Sequence, residues 1–171
     1  MPEAPKSIAI ARCACGSVEL QAAGTAILSA DCYCDDCQAG GRQIEALPNA
    51  GPVLTPAGGS PYLLYRKDRV QCTAGGQLLQ PHKLQETSPT NRVIATCCNS
   101  AMMLNFDDSK HWISMYRARF VTAIPPLQMR VCTKFKPADV ELANDLPNYP
   151  AFPLKFIGKL IAARIAMRFD R

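Results

Sequence analysis

The chain has 171 residues, 48% of them hydrophobic and 19% charged, enough for a packed core and too apolar for intrinsic disorder. It contains no run of about 18 apolar residues, so no membrane span is expected, and residues 1–10 lack the pattern of a secretory signal. Most of the net charge of +5 lies from Lys155 onward, where five cations accompany Asp170 alone. A basic tail of this kind is not a basic groove, so no nucleic-acid partner is expected.

Nine cysteines are the compositional outlier. Without export they sit among reduced thiols, where clustered cysteines bind metal or do chemistry more often than they form disulfides, and an odd number leaves one unpaired. A cytoplasmic location follows as the expectation.

In chain order, residues 7–12 and 18–21 read as short strands flanking Cys13-Ala14-Cys15-Gly16. Two cysteines one residue apart, with a glycine for the turn, offer two sulfurs to a metal but cannot close a site. They need partners from far along the chain. Residues 27–32 read as a strand that runs into Cys32-Tyr33-Cys34-Asp35-Asp36-Cys37. This spacing brings three sulfurs to one centre when a strand end is followed by a turn. Three thiolates suit zinc and leave its fourth position open to water or substrate. A redox-active Cys34/Cys37 pair is the competing reading, since C-x-x-C alone is ambiguous.

Residues 48–61 are rich in Pro and Gly and read as a loop, residues 62–66 as a strand, and most of 75–89 as a second loop. Residues 92–97 read as a strand that runs into Cys97-Cys98-Asn99-Ser100, the natural partner for Cys13 and Cys15. Adjacent cysteines on an extended strand point to opposite sides, which leaves open whether both reach one metal. Residues 102–106 and 115–122 read as further strands. Cys72 and Cys132 stand alone and are expected to pack in the core. His82 and His111 carry no ligand pattern. After Pro153 a helix is expected, with Leu154, Ile157, Ile161 and Ile165 as its core-facing stripe. A homodimer contact through this helix is one alternative to packing on the body, and a weak membrane-surface contact is another.

Taken together, these residues resemble the family of glutathione-dependent formaldehyde-activating (GFA) enzymes, which also includes centromere protein V. That family opens with C-x-C-G, here Cys13 to Gly16, and continues with C-x-C-x-x-C and a polar residue, here Cys32 to Gln38. A G-G-x-P-x-x-Y-like stretch is seen at Gly58, Gly59, Pro61, Tyr62 and Tyr65. The family's C-x-x-C-G-[ST] knuckle is matched at its end by Cys98-Asn99-Ser100, whereas Ala95 stands at its first cysteine and Cys97 is extra. The similarity covers roughly residues 8–125 and marks a divergent branch, with an inserted segment around residues 75–90.

The resemblance implies a mainly β fold of small antiparallel sheets stacked around zinc (a β-tent), here with a C-terminal α-helix. Residues 1–136 would form the zinc-binding domain, and residues 137–171 a Pro-rich linker and helix packed on it. It implies two zinc ions. One is structural, at Cys13 and Cys15 with Cys97 or Cys98. The other is catalytic and open, at Cys32, Cys34 and Cys37. The implied activity is that of a carbon–sulfur lyase joining glutathione, or another small thiol, to an aldehyde such as formaldehyde. Arg42 and Arg92 are the candidate partners for the glutathione carboxylates. A non-catalytic zinc module that carries a thiol or binds a protein is the alternative.

Overall fold

The computed structural model describes residues 7–170. Among these residues, ten strands and two α-helices form three layers, with a large mixed sheet in the middle. A three-stranded sheet covers one face, built from the hairpin β1 (Ile8–Arg12) and β2 (Glu19–Ala23) with β5 (Val70–Ala74) on the outer side of β2. The large sheet runs in the order β10-β3-β4-β9-β8-β7-β6. Its strands are β3 (Leu28–Cys32), β4 (Ser60–Arg66), β6 (Leu79–His82), β7 (Thr90–Ala95), β8 (Ser100–Phe106), β9 (Trp112–Tyr116) and β10 (Met129–Val131). All neighbours are antiparallel except β10, which lies parallel to β3 and sets Val131 opposite Cys32.

Alternation along β4 explains the layering. Tyr62 and Leu64 enter one core with Leu28, Ile44, Phe156 and Leu160, on the face that carries the helices. Leu63 and Tyr65 point the other way, into a second core with Ala11, Leu20, Met102 and Met115 beneath the small sheet. The expected mainly β fold with a C-terminal helix is therefore observed.

Helix α1 (Asp35–Glu45) starts inside the C-x-C-x-x-C run. Cys34 is its N-cap, with Sγ accepting from the Cys37 amide at 3.4 Å, and Asp35 and Asp36 in the first turn suit the positive end of the helix dipole. The sulfurs thus meet at a strand end followed by a helix rather than by a plain turn. Helix α2 (Leu154–Phe169) buries Phe156 and Leu160, about 1.5–3 kcal/mol for each side chain.

Three expectations need correction. The stripe Leu154, Ile157, Ile161 and Ile165 does not face the core; Leu154 is 89% exposed. The rotation of α2 is set instead by stacking of Phe156 on Phe152, by the bond from His111 to the Leu160 carbonyl, and by Asp170 pairing with Arg66 and Arg69. The strand expected over residues 115–122 is β9, which ends at Tyr116. Arg117 then leaves the sheet to donate to Ser29 Oγ and the Pro125 carbonyl. Within the expected loop 75–89 lies β6, an edge strand, the position in a sheet where Pro81 is tolerated.

Candidate metal centre

Two groups of thiols converge, in each of which every sulfur lies within 4.8 Å of every other. The first joins Cys13, Cys15, Cys97 and Cys98. The β1–β2 turn is closed by Gly16, at φ +80°, and held by the Gly16 amide on the Cys13 carbonyl and the Val18 amide on Cys13 Sγ. Its Ala14 amide donates to Ser100 Oγ, which seats the hairpin on the start of β8. The opposing cysteines lie past the end of β7 in a tight turn, with Asn99 at φ +51°. Because the chain has left the strand there, Cys97 and Cys98 are not forced to opposite sides, and both sulfurs join the group. Sulfur separations are 3.5 Å for Cys13–Cys15, 3.3 Å for Cys15–Cys97, 3.8 Å for Cys13–Cys97 and 3.9 Å for Cys97–Cys98.

A tetrahedral zinc with sulfurs at 2.3 Å sets them about 3.8 Å apart, so this four-thiol donor set fits such an ion. Cys15, hydrogen-bonded by Ser17, Cys97 and Cys13, is drawn down to about 6, whereas desolvation and bonds to Cys15, Cys13 and Cys98 push Cys97 up to about 12. Clustered thiols cannot all ionise without a cation among them.

The second group is Cys32, at the end of β3, Cys34 at the α1 cap and Cys37 in its first turn. Hydrogen bonds from the Cys32 and Cys37 thiols bring Cys34 down to about 3. Cys37 also bonds Cys32, which lowers it, but the Cys34 thiol, burial and the charge on Cys34 together leave it at about 12. Bonds to Cys132, Cys34 and Cys37 push Cys32 up in the same sense. Tyr62 Oη donates to Cys37 Sγ at 3.7 Å, and burial keeps that phenol protonated. Three convergent thiols suit a thiophilic ion with one position left over. Both cysteine groups could therefore hold metal ions, and their all-sulfur donor sets are consistent with zinc.

Beside the second group lies a cavity of about 390 Å³. Cys32, Cys34 and Cys37 line it, and so do Tyr62, Trp112 and Phe156. The two arginines named from the sequence part company. Arg92, on β7, is 1% exposed and lines the cavity, whereas Arg42 is exposed on α1 and takes no part in the wall. No histidine reaches the cavity: His82 bonds Gln43, and His111 holds α2.

Of the two lone cysteines, Cys132 packs in the core as expected and Cys72 does not. Cys72 is exposed on β5, where its thiol bonds the Ala74 carbonyl. Cys132 is buried, in a left-handed conformation just past β10, near enough to Cys32 that the two thiols shift each other, Cys132 down and Cys32 up. The parallel β10–β3 pairing makes this neighbour, and a three-residue strand leaves no periodic signal from which to foresee it.

Neither a protein-family model nor a curated protein matches this chain. Among solved structures, a crystal structure of a Rhodobacter sphaeroides protein, a structural-genomics target, is similar at a TM-score of 0.47 and 13% identity. The match covers 68% of this chain and 91% of that one. No helix among the described residues is long and apolar enough to cross a membrane.

Proposed function

We propose that the chain is a zinc-dependent carbon–sulfur lyase-like protein, joining a small thiol such as glutathione to an aldehyde such as formaldehyde, as its resemblance to the GFA and centromere protein V family implies. The observation that carries this reading is the contrast between the two thiol groups. One brings four sulfurs together; the other brings three, beside a cavity. The first suits a structural ion, held by Cys13, Cys15, Cys97 and Cys98, and the second a reactive one, held by Cys32, Cys34 and Cys37.

Zinc bound at the three thiols supplies a lowered thiol pKa and a polarised carbonyl. In the forward direction the thiol sulfur bonds the carbonyl carbon, and the thiol proton ends on the former carbonyl oxygen, giving a hemithioacetal. The protein's own part is to hold Cys37 Sγ with the Tyr62 hydroxyl, to shield the reacting atoms with Trp112 and Phe156, and to place Arg92 nearby as a fixed cation. A non-catalytic thiol carrier or protein-binding module is the second reading, favoured by the divergent knuckle, where Ala95 stands at the family's first cysteine and Cys97 is extra.

Titration of the zinc-loaded protein with glutathione across pH 6–9, with and without formaldehyde, separates the two readings. Binding that strengthens with pH and accelerates adduct formation supports the lyase. Binding without acceleration supports the carrier. No binding at any pH removes glutathione from the account.

A further inference from the structure

The cavity beside the three thiols is poorly matched to a polar peptide. Its walls are mostly apolar, contributed by Leu64 of β4, Leu104 of β8, Trp112 of β9, and Phe152, Phe156 and Leu160 at and within α2. Its volume of about 390 Å³ falls within the range of small-molecule sites, about 300–1,000 Å³. Glutathione brings two carboxylates, an ammonium and two peptide groups. Against these the walls offer one buried cation, with Lys110, Asp36, Thr90 and Ser114 as the other polar residues and Lys110 already paired with Asp108. A buried polar group left without a partner is costly.

Arg92 supplies that cation. Its Nη2 donates to the Asp36 carbonyl at 2.5 Å, while Nε and Nη1 have no partner among the described residues. Nε is closed off by α1 at Gly40, where a Cβ would collide with the guanidinium. Nη1 remains unpaired but enclosed, on a side chain that is 1% exposed and lines the cavity, so a ligand engages it only as the wall around it gives way. Carboxylates and phosphates are the groups that match a guanidinium, and a mostly apolar wall with one buried cation suits the singly charged carboxylate.

We propose that the cavity takes an apolar carboxylate, and that the thiol handled beside it is a mercaptocarboxylate with an aryl or alkyl body rather than glutathione. The sulfur in this assignment rests on the thiol-accepting role given above to Cys32, Cys34 and Cys37. The apolar body and the carboxylate rest on the cavity walls and Arg92. The ligand's apolar part lies against Trp112 and Phe156 and its carboxylate on Arg92.

Trp112 is the chain's only tryptophan, so its emission reports occupancy without reference to metal, while cobalt(II) in place of zinc reports thiol coordination by its absorption. The full chain, loaded with cobalt(II), is titrated with 3-phenylpropanoate, 3-phenylpropanamide, 2-benzyl-3-mercaptopropanoate and glutathione. The benzyl mercaptocarboxylate should bind at least tenfold more tightly than glutathione and shift the cobalt bands. Phenylpropanoate should change Trp112 emission without moving those bands, and the amide should bind about tenfold more weakly. Phe152→Ser, at the exposed rim, should weaken the aromatic ligands alone. Glutathione binding as tightly as the benzyl ligand, equal binding of amide and carboxylate, or no emission change with phenylpropanoate would each overturn the inference. Emission changes with unmoved cobalt bands for both thiols would instead remove the thiol-accepting role and leave an apolar-carboxylate site.

Discussion

Gly40 shows how one missing side chain sets up the site. It faces inward from the middle of α1, where glycine costs a helix about 1 kcal/mol relative to alanine. The space that a Cβ would fill is taken by Nε, Cζ and Cδ of Arg92. Gly40→Ala should therefore destabilise the protein despite its better helix propensity, by about 1–3 kcal/mol for overpacking, read from urea unfolding midpoints. Unchanged or raised stability would show that Arg92 moves aside at no cost. The cysteines divide in the same way. Cys15→Ser removes a sulfur from the group that joins the β1–β2 turn to the β7–β8 turn, and should lower the melting temperature of zinc-loaded protein by about 10 °C or more. Cys34→Ser should change it far less while abolishing metal-dependent thiol binding. Equal losses of stability from the two variants would contradict the division of roles.

At the scale of elements, α2 depends on His111. Its Nε2 donates to the Leu160 carbonyl at 2.7 Å, and the ring is only 7% exposed. Desolvation first, then the positive charges of Arg164, Lys67 and Arg66, depress its pKa below the ordinary 6.5, against the helping carbonyl bond. The folded state thus disfavours the charged ring. The stability this provides is complete above 6.5 and is lost as pH falls from there toward the depressed value. Unfolding midpoints should drop on acidification through this window, and His111→Asn should flatten the profile relative to wild type. A parallel profile in the variant would assign the pH dependence to other groups.

What could be read in advance followed the same division between local and distant. Cys32, Cys34 and Cys37 are legible because their meeting point lies within one short run. The β1–β2 hairpin, β3, β4 and β8 are legible as short apolar runs. Helix α1 is hidden by Gly40-Gly41, residues that favour loops until Arg92 and Leu54 are seen to need the room. The rotation of α2 is decided by Asp170, Phe152 and His111, none of which belongs to the apolar stripe. Cys132 reaches Cys32 only through a parallel strand pair, a long-range contact that local spacing does not encode.

For the molecule as a whole, the large sheet separates two tasks. The small sheet and the four-thiol group occupy one side, while the helices, the three-thiol group and the cavity occupy the other. The four-thiol group fastens the hairpin at Cys13 to the turn at Cys97, 84 residues away. A strong chelator should accordingly loosen the small sheet, with faster amide exchange in β1 and β2 than in β3 and β4. Uniform exchange after chelation would show that packing alone holds that layer.

The difference in span between the two thiol groups also fixes an order of events. Cys32, Cys34 and Cys37 lie within six residues, so an unfolded chain can gather them around an ion before any sheet exists. Bringing Cys13 to Cys97 closes a far longer loop, at an extra entropic cost of about 2 kcal/mol, and must wait for β7 and β8 to pair. When zinc is scarce, newly denatured chains should therefore load the short segment first and start α1 from its cap, leaving the other group to be filled late. Refolding with one equivalent of zinc should show early metal uptake followed by a slow phase, and Cys15→Ser should remove the slow phase and keep the early one.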